Sequence, residues 1–173
     1  MVGHELQKVF NKYEDTFIDK PEFTIGFIKE HDELLVAAGE LSKDDLSKLM
    51  AILSRYITAL VDKQKFKTAY DDALFILPDI DKNFTALQLD NNSSSWYKAM
   101  KFQLGRAAYE LKHYQLALRQ FNYLLKDSPD DQVLNRWRFY AQAHRNKLYY
   151  NIALGMAIIL VIGDITLRHY LPA

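Results

Sequence analysis

The stretch Trp96–Pro129, WYKAMKFQLGRAAYELKHYQLALRQFNYLLKDSP, decides the fold. It reads as two helices folded back on each other. In the first half Gly105, Ala107 and Ala108 leave one face nearly bare of side chain, so a second helix can approach closely. In the second half Ala117 and Phe121 lie one turn apart, and Leu124 and Leu125 follow a turn later. That spacing makes the apolar stripe that fills the gap. Lys112-His113 reads as the short turn between antiparallel neighbours. One such pair cannot bury both of its faces alone, so the rest of the chain is expected to supply more helices of the same kind.

The order of these residues is specific. Leu104-Gly105, the small Ala107 and Ala108, Tyr109, then Tyr114, Ala117, Phe121, Leu124 and a closing Pro129 together resemble a tetratricopeptide (TPR) repeat. Lys101 stands where an aromatic is usual, and Ala108 where a tyrosine is usual. Phe66-x-x-Ala69-x-x-x-Ala73 matches Tyr114-x-x-Ala117-x-x-x-Phe121 in register and looks like a second, more degenerate unit, with Ile57 in the slot of the close-packing glycine. The resemblance implies an all-α array of antiparallel helical hairpins.

Composition agrees with helices. Only 6 glycines and 4 prolines interrupt 173 residues, too few for a many-turned β fold. The 22 basic and 22 acidic residues cancel, so no global field draws nucleic acid. Without cysteine there is no disulfide, thiolate nucleophile or thiolate metal site. The charged, amphipathic start MVGHELQKVFNKYEDTF lacks the apolar core of a secretory signal, so this end is expected in the cytoplasm. On that reading the N-x-S/T triplets at Asn83, Asn91 and Asn92 are chance matches.

Reading the chain in order, Leu6, Phe10 and Tyr13 line one short helix. Asp19-Lys20-Pro21-Glu22 opens the next, with Asp19 as cap, and it carries Phe23, Phe27, Ile28, Leu34 and Leu35 to a stop at Gly39. Ser42 caps a helix whose buried face is Leu46, Leu49, Met50, Leu53, Ile57 and Leu60. Asp62 to Lys65 is a polar turn, and the following helix is expected to end at Pro78. Asp79 to Ser95 then reads as a solvated loop. Asp79, Asp81, Asn83 and Asp90 have calcium-loop spacing, but Phe84 replaces the required glycine and Asp90 the final glutamate. Ser128-Pro129-Asp130-Asp131 opens the last helix with the same logic as Ser42.

Leu148 to Leu167 is apolar and would span roughly 30 Å as a helix, the thickness of a bilayer core. Tyr149 and Tyr150 suit one interface; Arg168, His169 and Tyr170 suit the other. Arg136, Arg138, Arg145 and Lys147 precede it, a bias that would hold the repeat domain in the cytoplasm. Asp164 is the costly residue, with headgroups or Arg168 within reach. The alternative is a buried capping helix. The expected organisation is N-terminal helices over 1–41, a TPR-like domain over 42–147 and a membrane helix over 148–168. That plan is similar to the tail-anchored mitochondrial fission adaptor family; the similarity covers the plan only, and a bacterial inner-membrane TPR protein fits it equally.

No catalytic constellation is present. The five histidines are scattered, and there is no phosphate-cradling glycine loop or nucleophile elbow. No enzyme activity, cofactor or metal is therefore expected. Binding remains. In TPR arrays the first helix of each pair lines a concave groove, and register places Arg55 and Thr58, then Phe102, Gln103, Arg106 and Tyr109, then Arg136, Trp137 and Tyr140 on that side. Arginines among aromatics suit an acidic segment or terminal carboxylate of an extended peptide. The dicarboxylate-clamp subclass wants Lys and Asn there, and Phe102 and Arg106 depart from it. The same residues could instead face solvent or pack against the N-terminal helices. The expected function is a membrane-tethered adaptor with a protein or peptide partner; the alternative is a structural subunit of a membrane complex, assembled through the C-terminal helix.

Overall fold

A computed structural model describes residues 3–17, 20–35, 41–90 and 94–170, with side chains described between residues 6 and 162 of these segments. The described residues are all-helical. The helices are α1 (Gly3–Thr16), α2 (Pro21–Glu30), α3 (Lys43–Asp62), α4 (Phe66–Ala86), α5 (Ser95–Glu110), α6 (Tyr114–Leu125) and α7 (Gln132–Tyr170), with a 3-10 turn at Asp32–Leu34. Helix α4 folds back on α3 and α6 on α5; α5 also packs on both α3 and α4, and α7 packs on α6. The N-terminal helices α1 and α2 lie on α3. Each helix thus buries a stripe against its predecessors.

The pair α5–α6 meets where Gly105 has no side chain. A Cβ there would stand 2.7 Å from Phe121 Cε1, inside the ~3.5–4.0 Å of an ordinary carbon contact. Phe121 is fully buried among Ala108, Ala117, Leu118 and Leu124. On α3 the buried face is the expected one, Leu46, Leu49, Met50, Leu53, Ile57 and Leu60. Ser42 caps this helix, its Oγ accepting the Asp45 backbone N–H at 3.1 Å.

Three helix ends differ from expectation. Pro78 does not stop α4, which continues to Ala86. An internal proline costs about 3 kcal/mol. The turns beyond it bury Ile80 and Phe84 beside Ile76 and Leu77, and each buried side chain of this kind is worth about 1.5–3 kcal/mol. Burial therefore carries the helix through the break. Consequently Asp79, Asp81 and Asn83 occupy helical turns rather than a loop: Asp79 pairs with Lys82, Asp81 accepts from the Tyr97 hydroxyl, and Asn83 Oδ1 accepts the Leu41 backbone N–H at 3.0 Å. Helix α2 ends at Glu30, so Leu34 sits in the separate 3-10 turn. Its N-cap is Lys20, with Pro21 in the first turn; Asp19, Gly39, Asn91 and Asn92 lie outside the described residues. Helix α7 is capped by Asp131, not Ser128. Asp131 Oδ1 accepts the N–H groups of Val133 at 2.8 Å and Leu134 at 3.0 Å, two and three residues on as a cap does, whereas Ser128 lies three residues further back.

Helix α7 is one continuous rod. Its first half is docked, with Leu134 and Ala141 buried and Trp137 half-buried. From Leu148 to Ile162 the apolar side chains are exposed, reaching 70 % at Ile159 and 72 % at Leu160. Among the described residues no helix is long and apolar enough to cross a membrane. The side chains of Asp164 and Arg168 lie outside the described set.

Candidate peptide-binding groove

On α5 the buried stripe is Tyr97, Met100, Leu104 and Ala107–Ala108. Rotated from it by about a third of a turn lies a second stripe, Trp96, Ala99, Phe102, Gln103 and Arg106, whose members recur at three- and four-residue spacing. This stripe forms the floor of a groove with α3 on one side and the start of α7 on the other.

Arg106 sits at the centre. Its Nη1 donates to Gln103 Oε1 at 3.0 Å and stands 3.9 Å from Asp62 Oδ1 at the end of α3. The guanidinium lies 5.6 Å from the Trp137 ring centre and 6.0 Å from that of Phe102. Gln103 is buried and holds the arginine in place. The Asp62 contact is long and solvent-exposed, worth at most about 1 kcal/mol, so an incoming carboxylate can replace it.

Towards the other end of α5, Tyr109 packs edge-on against Trp137 at 5.4 Å, His144 at 5.5 Å and Tyr114 at 5.7 Å. Burial, then the neighbouring Tyr114, Glu110 and Tyr140, raise the Tyr109 hydroxyl above its ordinary pKa, so it remains a neutral donor. Tyr140 is exposed and borders Trp137 at 6.5 Å. Arg136 is exposed on α7. Next to Phe102 a cavity of about 290 Å³ opens between Lys98, Leu124, Val133 and Leu134.

The structure therefore gathers Phe102, Gln103, Arg106, Tyr109, Trp137 and Tyr140 into one surface. It does not bring Arg55 and Thr58 into it as free groups. The Arg55 guanidinium is caged by Phe17 at 4.8 Å, Trp96 at 5.5 Å and Tyr13 at 5.9 Å, and pairs with Glu14 at 3.6 Å. The Thr58 hydroxyl donates to the Ser54 carbonyl at 2.8 Å. This end of α3 is lined by the α1–α2 corner, Phe17, Pro21 and Thr24, around a cavity of about 300 Å³. It is the N-terminal packing that the register argument left open.

Two groove residues escaped sequence reading. Trp96 lies one heptad before Gln103, and Asp62 one heptad after Arg55, spacings that put each on the same face as a residue already singled out. Chemically the surface offers a fixed guanidinium, aromatic faces and an amide. Among the described residues no group of three or more His, Asp or Glu is placed to hold a metal ion. Neither the known protein-family models nor the curated proteins contain a match to this chain.

Proposed function

We propose that the chain is a membrane-tethered adaptor of tetratricopeptide type. Its groove along α5 receives an extended segment of a cytoplasmic protein, and the end of α7 holds the body at a bilayer. The single observation that carries the reading is the contrast within α7: a packed first half, then Ile152, Leu154, Met156 and Ile158–Ile162 exposed on every side. Covering such side chains is worth about 1.5–3 kcal/mol each, and lipid covers a rod all round where a docking protein covers one stripe. Leu148–Ile162 spans about 22 Å as a helix against a hydrocarbon core of about 30 Å; in the sequence the apolar run goes on to Leu167, interrupted by Asp164. The repeat reading is supported by the back-to-back pairs α3–α4 and α5–α6, by α5 lying on both members of the preceding pair, and by the Gly105–Phe121 contact.

For the groove, Arg106 is the residue that would receive a carboxylate, with Trp137 and Phe102 covering the aliphatic parts of the peptide. Two experiments test the reading separately. Cell lysates without detergent should yield the full-length chain in the membrane pellet and a chain truncated after Lys147 in the supernatant; identical behaviour of the two refutes the tether. Capture of partner proteins from detergent extracts should fall at least tenfold for Arg106→Glu, and unchanged capture removes the groove.

A further inference from the structure

A second cleft lies outside the groove, where α7 leaves the body. It has a volume of about 330 Å³ and is bordered by the α5–α6 turn, the first turns of α6 and α7 residues Arg145, Leu148 and Tyr149. Lys112, Arg119 and Arg145 all line it, and no carboxylate does. None of these three cations forms an ion pair with a described residue. Arg145 Nε is shielded from solvent and has no hydrogen-bond partner. Its neighbours in the wall are cationic too, and two arginines and a lysine with no counter-charge in the cleft call for an anionic acceptor. The floor is aromatic and fixed: Tyr70 stacks on His113 at 5.1 Å, and the Arg145 guanidinium lies 6.0 Å from the Tyr149 ring centre. Helix α6 also begins here with no side-chain cap on its positive end.

We propose that this cleft binds a phosphate group, and that the phosphate belongs to an anionic phospholipid headgroup. The phosphate chemistry follows from three cations that line one cleft with no carboxylate among its walls, which suits a group with several acceptor oxygens. The lipid source follows from position. Leu148 and Tyr149 are at once the wall of the cleft and the first residues of the exposed apolar run. A headgroup bound there would leave its acyl chains beside Ile152 and the turns that follow. This second step rests on the membrane-tether reading; the first does not.

The test uses the full-length chain in neutral detergent micelles, titrated calorimetrically with short-chain phosphatidylglycerol, short-chain phosphatidylcholine or inorganic phosphate. Saturable binding of phosphatidylglycerol, weakened about tenfold or more in Arg119→Gln/Arg145→Gln, is the expected result. The exposed pair Lys112→Gln/Arg119→Gln should weaken it similarly without touching the packed Arg145, which separates loss of the site from loss of the fold. Equal binding of inorganic phosphate and phosphatidylglycerol supports the phosphate site and overturns the lipid source. Equal binding of phosphatidylcholine and phosphatidylglycerol, no binding of any anion, or binding unaffected by both double variants overturns the proposal. Flotation of the same chain with pure phosphatidylcholine vesicles reads the tether independently: a chain that floats but binds no anion loses the cleft and keeps the anchor.

Discussion

Replacing Gly105 by alanine sets two effects against each other. In a helix interior alanine is favoured over glycine by about 1 kcal/mol. The new Cβ, however, would meet three atoms of the Phe121 ring, at 2.7, 3.0 and 3.2 Å. That ring is fully buried, with Phe102 and Trp137 each centred 6.1 Å away, so it can yield only by displacing them. Overpacking of this kind costs about 1–3 kcal/mol, and a rigid, hemmed ring belongs in the upper half, which leaves a net loss of about 1–2 kcal/mol after the propensity gain. Urea unfolding of the full-length chain in neutral detergent, followed by helical circular dichroism, measures it. Gly26→Ala is the internal control: no heavy atom lies within 4 Å of its Cβ position, so it should gain about 0.5–1 kcal/mol from propensity alone. Combining Gly105→Ala with Phe121→Leu should recover part of the loss as a coupling of about 1 kcal/mol. If Gly105→Ala is as stable as the wild type, or moves in the same direction as Gly26→Ala, the close approach of α5 and α6 is not what holds the pair.

Three further outcomes follow from single contacts. Asn83→Ala should lose about 1–3 kcal/mol in the same unfolding assay, because the buried Leu41 N–H loses the acceptor it has among the described residues; a change below about 0.5 kcal/mol refutes the tie between α4 and Leu41, just ahead of the α3 cap. Asp131→Ala removes the acceptor for the Val133 and Leu134 N–H groups and should cost about 1 kcal/mol, with faster amide exchange at those two residues as its signature. Burial, and then the hydrogen bond from Tyr56 to Asp72, raise the Tyr56 hydroxyl above its ordinary pKa of 10.0. The folded state thus prefers the neutral phenol. Its contribution is fully present below pH 10 and is lost as the pH climbs above it, so stability should fall on the alkaline side and Tyr56→Phe should flatten that fall.

What was legible in the sequence is what rests on side-chain size at helical spacing. Gly105 opposite Phe121, the α3 stripe from Leu46 to Leu60 and the Ser42 cap are local patterns, and each reappears as a contact. What was not legible rests on choices made by the tertiary structure. Helices α3, α4 and α5 end in the left-handed region at Gln64, Gln88 and Lys112, with φ of 56°, 53° and 64°. Glycine is the usual residue there; the polar turns at Asp62 to Lys65 and Lys112-His113 marked the ends of α3 and α5 without one, but nothing comparable marked the end of α4, and Pro78 drew its boundary too early. Each end closes instead through a backbone bond, such as Leu89 N–H to the Phe84 carbonyl at 2.9 Å. The groove divides along the same line. Arg106 on α5 and Trp137 on α7 meet on one surface, whereas Arg55 is covered by α1, whose docking site no periodicity encodes.

Lys101 is one of the two departures from the repeat that the sequence resembles. It occupies a slot where the resemblance calls for an aromatic. Its ammonium lies 5.0 Å from the Tyr97 ring centre and 5.5 Å from that of Tyr123, so two neighbouring rings supply the aromatic surface and the lysine supplies the charge above it. Burial lowers its pKa, and Asp81 nearby opposes that shift. Asp81 in turn accepts from the Tyr97 hydroxyl. Lysine, tyrosine and aspartate thus tie α5 to the part of α4 that lies beyond Pro78. The substitution at one slot and the extension of the preceding helix are two sides of a single packing solution, since Asp81 reaches this position only because α4 does not stop at the proline.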